Sequence, residues 1–197
     1  MLIPQRWANK TVVIAASGPS LPMTLPDSKV GFQLVVVNST FLRFPHAHAL
    51  YAGDFLWWKT MHQQVHKDFR GEKWTQDATS AERYKINRVK GINKPGLGTS
   101  NIHLNGNSAF QAINLAYLFG SRRLLLIGFD MKLGPNGEKH WHPDHPAPMV
   151  QAQVFGEWIH KATILAKDLA AMKCEVINCT PGSALSCFPM GELEKEL

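Results

Sequence analysis

The sequence predicts an α/β fold, in which a mostly parallel sheet carries helices on both faces, and two observations lead to this prediction. Short apolar runs rich in β-branched residues alternate with segments whose apolar residues recur at helical spacing. The runs contain few polar residues, as expected for parallel strands that helices cover on both sides. A length of 197 residues suits one domain, so we expect residues 1–197 to form a single unit.

Six segments are expected to be strands. Five are apolar runs, and the sixth, residues 84–89, is predicted from an alternation of apolar and polar residues. The five apolar runs are residues 11–16, 33–38, 48–52, 123–128 and 174–179.

Three segments are predicted helices, because apolar residues recur in each at intervals of three and four. They are residues 54–66, 107–119 and 151–172. Asp54 is suited to cap the first, and either Asn107 or Ser108 to cap the second. Residues 69–80 are polar without a clear period and predict a surface loop. Long loops at about 90–106 and 132–149 are expected to be functional, as long loops inside compact domains usually are.

Bulk composition narrows the function classes. A net charge of +6, with histidines neutral, favours an anionic ligand but does not require nucleic acid. The basic residues are scattered, except for a loose cluster at Arg83–Lys94 that would be the footprint of a nucleic-acid-binding alternative. Three cysteines without paired spacing argue against a disulfide framework. No apolar stretch reaches the length of about 18 residues that a membrane span needs, and the N-terminus does not read as a secretory signal, so we expect a cytoplasmic protein without membrane contact.

The first expected strand ends in Ser17-Gly18-Pro19-Ser20. In open α/β sheets, ligands bind beyond the carboxyl ends of the strands, where the strand order reverses. Gly18 would let a ligand approach the backbone, and Pro19 at the first position of a helix would leave N–H groups that attract an anion. An ordinary strand-to-helix turn explains the motif equally well. The motif is neither a Walker loop nor a dinucleotide fingerprint, which disfavours P-loop kinases and standard NAD enzymes.

Polar residues also follow the second strand, open the second helix and follow the fourth apolar run. Asn38 and Ser39 suit hydrogen bonds to a ribose, a base or a phosphate, although capping of the next segment explains them too. At Asn107 and Ser108, free N–H groups of a helix start suit a phosphate as well as a cap. Asp130 suits a metal, a ribose or an acceptor hydroxyl, or else caps the following turn.

The loop after Asp130 contains the run His140-Trp141-His142-Pro143-Asp144-His145. Three histidines and an aspartate within six residues are unusual in a solvated loop. Histidine is suited to general acid–base catalysis near neutral pH. The H-x-H spacing also fits a divalent metal if a carboxylate joins, and the ligands would then be Asp130, His140, His142 and Asp144.

Several stretches together resemble the bacterial sialyltransferases of the Campylobacter type. They are VVIAASGPSL at 12–21, VVVN at 35–38, NSAFQAINLAYLFG at 107–120, LLLIGFDM at 124–131 and VINCTPGSAL at 176–185. The same stretches are similar to the related archaeal 6-hydroxymethyl-dihydropterin pyrophosphokinases and to uncharacterised bacteriophage proteins. The resemblance spans roughly residues 12–185, and it implies a Rossmann-like fold.

The resemblance also implies roles for individual residues. Those that would hold the nucleotide part of the donor are Gly18, Pro19, Ser20 and Asn38, with Asn107 and Ser108 matching the family's helix start and Thr180, Pro181, Gly182 and Ser183 lining the base. The catalytic base of the family is a histidine in the loop after the Gly-x-Asp strand, and the candidates here are His140, His142 and His145. The family's paired tyrosines, which stabilise the leaving phosphate, have no clear match in this chain.

Three functional hypotheses follow. The first is a transferase of the glycosyltransferase type that takes a nucleotide or nucleotide-sugar donor, uses a histidine base and orients its acceptor with Asp130. The second is a pyrophosphokinase-like enzyme that needs a divalent metal around ATP. The third is a non-catalytic module that binds a nucleotide or a nucleic acid, such as a bacteriophage protein in the host cytoplasm.

Overall fold

A computed structural model describes residues 5–26, 31–143 and 154–197 of the chain. In these residues, a parallel sheet has the strand order β5-β4-β3-β2-β1-β8-β9, and β6 and β7 form a small parallel pair beside it. The strands are β1 (Thr11–Ala15), β2 (Gln33–Val37), β3 (Ala49–Tyr51), β4 (Glu72–Thr75), β5 (Asn87–Arg88), β6 (Gly91–Ile92), β7 (Ile102–His103), β8 (Arg123–Ile127) and β9 (Glu175–Asn178). The helices are α1 (Phe55–Asp68), α2 (Ala78–Tyr84), α3 (Ser108–Leu118), α4 (Phe155–Ala171) and α5 (Leu193–Glu196), and a 3-10 helix spans Asn38–Leu42.

The sheet is buried on both faces, because successive side chains of each strand point to opposite sides. In β1, Val12 and Ile14 pack into the core that contains α3 and α4, whereas Val13 and Ala15 pack into the core that contains α1. All four side chains are fully buried. The predicted α/β, Rossmann-like fold with helices on both faces is therefore confirmed.

The strand order places a topological switch point between β1 and β8. From β1 the chain moves outward through β2, β3, β4 and β5, and it then returns to the other side of β1 with β8 and β9. The chain after β1 therefore leads to β2 on one side of the switch point, and the chain after β8 leads to β9 on the other. A crevice at this point is where open α/β sheets bind their ligands.

Two sequence-based expectations about secondary structure are wrong. Residues 69–80 are not a surface loop, because they contain β4 and the start of α2. A four-residue strand near the sheet edge, with Glu72 and Lys73 only half-buried, carries no apolar run that would predict it. Pro19 also does not open a helix, since residues 16–26 have no helical hydrogen-bond pattern.

Smaller differences concern the predicted loop at 90–106 and the C-terminal region. The loop contains the short pair β6 and β7, and α5 follows the last strand. Of the predicted helix 151–172, residues 155–171 are helical, and residues 151–153 lie outside the described part of the chain. No helix in the described ranges is both long enough and apolar enough to cross a bilayer.

Candidate functional site

A cleft of about 330 Å³ opens at the carboxyl edge of the sheet, over the switch point. Its volume lies near the lower end of the range of about 300–1,000 Å³ that is usual for small-molecule sites. Four segments that the sequence marked as polar loops contribute to its wall. The polar and charged residues among its lining are Ser17, Asn38, Asp54, Asn107, Ser108, Gln111, Asp130, Lys132, Lys139 and His140.

The loop after β1 is held directly against the loop after β8. The Gly18 N–H donates to the carbonyl of Gly128 at 2.9 Å, and the Ser20 N–H donates to Asp130 Oδ1 at 3.2 Å. A Cβ on residue 18 would lie 1.9 Å from Asp130 Oδ2, so only glycine fits. The Leu21 N–H donates to the Gly18 carbonyl. The N–H groups of residues 18, 20 and 21 are therefore engaged within the protein, and we place no anion on them.

Asp130 is a buried carboxylate at the floor of the cleft. Its side chain is only 5% exposed, and Oδ2 is buried without a hydrogen-bond partner. Burial raises the pKa of this carboxyl above its ordinary value, and hydrogen bonds from Ser20 offset only part of that effect. A ligand group that donates to Oδ2 would stabilise the charged form, because it would supply a hydrogen bond that this oxygen does not receive from the protein.

Asn38 combines backbone strain with an unpartnered side chain. Its φ of 49° lies in the left-handed region, which non-glycine residues seldom occupy. Its Oδ1 is buried and accepts no hydrogen bond, although the residue lines the cleft. Ser39 differs, since it does not line the cleft and its buried hydroxyl accepts from the indole Nε1–H of Trp57 at 3.4 Å. Strain that persists beside a ligand-sized cleft is typical of a binding residue.

The N-terminus of α3 forms another part of the wall. Asn107 caps the helix, because its Oδ1 accepts from the Phe110 N–H at 3.0 Å, while its Nδ2 is buried without a partner. The hydroxyl of Ser108 accepts from the Gly53 N–H at 3.1 Å and so fixes the end of β3 against this helix. The capping role predicted for Asn107 is confirmed, and its Nδ2 retains the capacity to donate to a further acceptor.

The loop after β8 brings basic side chains to the cleft. Lys132, Lys139 and His140 line it, and the rings of His140 and His142 stack with centroids 5.0 Å apart. Nδ1 of His142 lies 2.7 Å from the carbonyl oxygen of Pro143. His145 and Asp144 lie outside the described residues, so their predicted roles stay predictions.

The predicted metal set does not assemble among the described residues. In residues 5–26, 31–143 and 154–197, no three side chains of histidine, cysteine, aspartate or glutamate come close enough to hold an ion. Asp130 lies on the cleft floor beside Gly18, and His140 lies in the cleft wall.

Residues 180–183 contact the backbone of Phe129, the residue before Asp130. The Thr180 hydroxyl accepts from the Phe129 N–H at 3.0 Å, and the Ser183 hydroxyl donates to the Phe129 carbonyl at 2.6 Å. Thr180 is fully buried, and the described cleft wall includes neither it nor Pro181, Gly182 or Ser183. These contacts fix the backbone that carries Asp130.

Sequence reasoning missed several cleft residues. Asp54 was expected only to cap α1, yet its side chain makes no capping hydrogen bond and lines the cleft, where burial and the nearby Asp77 raise its pKa. Three aromatic residues, Trp57, Phe155 and Trp158, also line the cleft. These three aromatic residues could have been found from their position in the fold, because each lies in the first turn of a helix that begins at the carboxyl edge of the sheet.

Comparison with known proteins supports the fold. No family model matches the sequence, and no curated protein matches it. Among solved structures, the chain is similar to the MAf glycosyltransferase from Magnetospirillum magneticum AMB-1, with a TM-score of 0.60 and 12% sequence identity. The match covers 95% of this chain and 34% of that protein, so the chain spans about a third of its length. At this identity the likeness concerns the fold alone.

Proposed function

We propose that the chain is a transferase of the glycosyltransferase type, and that the cleft binds a nucleotide-activated donor. The observation that carries this proposal is the set of buried polar atoms without partners on three cleft-lining residues: Asn38 Oδ1, Asn107 Nδ2 and Asp130 Oδ2. Native proteins leave few such atoms unpaired, because each costs about 1–3 kcal/mol. A polar ligand that pairs with all three would recover this energy.

The chemistry of these atoms indicates which part of the donor each would contact. Asn38 Oδ1 and Asp130 Oδ2 only accept hydrogen bonds, so they suit the hydroxyls of a ribose or sugar, or the amino group of a base. The phosphate of the donor needs hydrogen-bond donors and positive charge. The N-terminus of α3 and Asn107 Nδ2 would supply the hydrogen-bond donors, and Lys132 and Lys139 would supply the charge. The aromatic side chains of Trp57, Phe155 and Trp158 offer faces for the base.

His140 is the candidate general base. The imidazole would take the proton from an acceptor hydroxyl as that oxygen forms a bond to the anomeric carbon of the donor. The bond from the anomeric carbon to the phosphate oxygen breaks in the same step, and the phosphate leaves with the bonding electrons. Lys132, Lys139 and the α3 N-terminus would stabilise the charge that develops on it. The likeness of the whole fold to a protein described as a glycosyltransferase supports this reaction class.

Binding is tested first, by titration calorimetry against nucleoside monophosphates, nucleoside diphosphates and nucleotide sugars, with and without Mg²⁺. Asn38→Gly removes the unpartnered carbonyl and suits the left-handed backbone, so we expect affinity to fall about tenfold or more without loss of stability. Lys85→Gly is the matched control, because Lys85 also has a left-handed backbone, with φ 56°, and lies exposed at the end of α2. If no nucleotide binds the natural protein, the proposed function is wrong.

Transfer is tested next with the donor that binds most tightly. We expect His140→Gln to reduce the turnover number about 100-fold or more while the donor affinity stays within a factor of about two, since a general base contributes about 10²–10⁴-fold. His66→Gln, on the exposed side of α1, is the control and should keep full activity. Unchanged turnover in His140→Gln would move the base to another residue.

A further inference from the structure

Trp141, the residue after His140, joins the histidine-bearing loop to the loop after β1. Its backbone N–H donates to the carbonyl of Ser17 at 3.1 Å. This N–H belongs to the peptide group that links His140 to Trp141, so the hydrogen bond fixes the backbone directly behind the His140 side chain. Trp141 itself does not line the cleft, and its ring packs at the edge of the core that contains α1.

The indole ring of Trp141 is held on two sides. Its Nε1–H points to Thr40 Oγ1 at 3.4 Å, and the guanidinium carbon of Arg43 lies 3.9 Å from the ring centroid. A guanidinium stacked on an indole is among the stronger cation–π arrangements. Arg43 is itself fixed, because its Nη1 donates to the carbonyl of Leu21 at 2.6 Å.

Thr40 connects Trp141 to the loop after β1 through hydrogen bonds of its hydroxyl. Its hydroxyl is fully buried, donates to the Ala16 carbonyl at 3.2 Å and lies 3.0 Å from Ser17 Oγ. Ser17 Oγ lies in turn 3.3 Å from the carbonyl of Val37, the residue before Asn38. The three loops that follow β1, β2 and β8 are therefore joined by one hydrogen-bond network, in which Trp141 is the member contributed by the His140 loop.

We infer that Trp141 is a positioning residue, which locks the 132–143 loop onto the loops after β1 and β2 and so sets the place of the His140 ring at the cleft. The inference deepens the proposed function and rests on it for the role of His140, but the locking itself is independent of any reaction. Arg43 and Thr40 are its partners. Tryptophan suits this position because its side chain provides both an aromatic ring for Arg43 and an N–H group for Thr40.

The locking is tested by amide hydrogen exchange across residues 132–143 in the full chain. We expect Trp141→Ala to accelerate exchange there about tenfold or more, because two hydrogen bonds and the cation–π contact are weakened or lost together. Trp141→Phe keeps a ring for Arg43 but lacks the indole N–H, so its acceleration should be smaller. Leu133→Ala, a truncation of an exposed side chain in the same loop, is the control and should leave exchange unchanged.

Positioning is tested by the ring-proton NMR shifts of His140, which do not depend on activity. They should change in Trp141→Ala and stay constant in Leu133→Ala, and where transfer is measurable the turnover number should fall while donor affinity is kept. Unchanged exchange in Trp141→Ala overturns the inference, and so do unchanged His140 shifts. If Trp141→Ala does not fold, the same two measurements on Trp141→Phe decide. If the natural protein transfers no sugar, the proposed function is wrong. The hydrogen-exchange and NMR measurements still test the positioning by Trp141, because neither depends on activity.

Discussion

Residues 94–106 and the cleft floor each contain an asparagine in the left-handed region, and the two side chains are used in opposite ways. Asn105, with φ 53°, is buried, and its Oδ1 accepts from the Gly96 N–H at 2.8 Å. Its Nδ2 donates to the carbonyls of Gly96 and His103, both at 3.0 Å. Asn38, with φ 49°, has a buried Oδ1 without a partner. The same backbone strain therefore accompanies a paired side chain in one region and a buried, unpaired side-chain oxygen in the other.

The difference teaches that a buried asparagine in the left-handed region can either complete an internal hydrogen-bond network or keep an unpaired atom beside a cleft. The loop at about 90–106 is expected to be functional because it is long. Within it, the N–H groups of Gly96, Gly98 and Leu97 pair with Asn105, with Asn114 of α3 and with Asp168 of α4, whereas Asn101 Oδ1 is buried without a partner. In the cleft wall, Asn38, Asn107 and Asp130 each keep a buried side-chain atom without a partner. The pairing of individual buried side chains predicts how each region responds to substitution.

The largest effect on stability is expected at Asn114, whose side chain pairs with the backbone of residues 98 and 103. Asn114 is fully buried, its Oδ1 accepts from the N–H groups of Gly98 and His103, and its Nδ2 donates to the Gly98 carbonyl. Asn114→Ala leaves three buried backbone groups unpaired, so the free energy of unfolding should fall by about 3 kcal/mol or more in urea denaturation. Asn87→Ala, on exposed β5, should change it by less than about 0.5 kcal/mol. Equal effects of the two substitutions would contradict the comparison.

A smaller loss is expected where the two halves of the cleft floor meet. Gly18→Ala would place a Cβ 1.9 Å from Asp130 Oδ2 and 2.5 Å from the Gly128 carbonyl. The clash should reduce stability by about 1–3 kcal/mol and abolish ligand binding, because it pushes Asp130 from its place. Gly31→Ala, with no atom within 4 Å of the new Cβ, is the control for the change in chain entropy. Thermal unfolding with and without ligand measures both effects.

The smallest effect, and one of opposite sign, is expected for Asp130→Asn. Burial raises the pKa of Asp130 in the folded state above its ordinary value of 3.8, so the folded state holds the proton more tightly than the unfolded state does. Its contribution to stability is therefore present below that ordinary value and is lost as pH rises through the raised pKa. Asn lacks this penalty, so the variant should unfold at a higher temperature than the natural protein near pH 7.

Melting temperatures of both proteins across pH 4–8 measure this linkage. The difference between them should shrink as the pH falls towards 4, because protonation of Asp130 in the folded state removes its desolvation penalty. A difference that is constant with pH would mean that Asp130 carries no desolvation penalty, and the contrast between the two regions would then lose one of its three unpaired atoms.

Much of the fold could be predicted from sequence because its centre follows simple patterns. The buried strands β1, β2 and β8 are continuous apolar runs, and α3 combines an apolar period with the cap at Asn107. The sheet edge could not be predicted, because β4 is stabilised by pairing with β3 and by burial of Trp74 rather than by its own composition. Tertiary packing decides such short strands, and local propensity does not.

The candidate site divides in the same way. Gly18, Asn38, Asn107 and Asp130 could be marked because each follows a strand or opens a helix, where the fold class already places a ligand. The engagement of the Ser20 N–H by Asp130 could not be predicted, since the two residues are 110 positions apart in the chain. Trp57 and Trp158 could not be assigned either, because an aromatic residue on a helix suits a core as well as a cleft.

The pairing of β1 with β8 also has a consequence for how the protein folds. The two halves of the cleft floor belong to chain segments 110 residues apart, and contacts of such long range form slowly because loop closure must precede them. No partly folded chain that lacks this pairing has a cleft floor. We therefore expect the refolding protein to regain ligand binding at the rate of its slowest folding phase. Ligand binding would then report the fraction of chains in which β1 and β8 have paired.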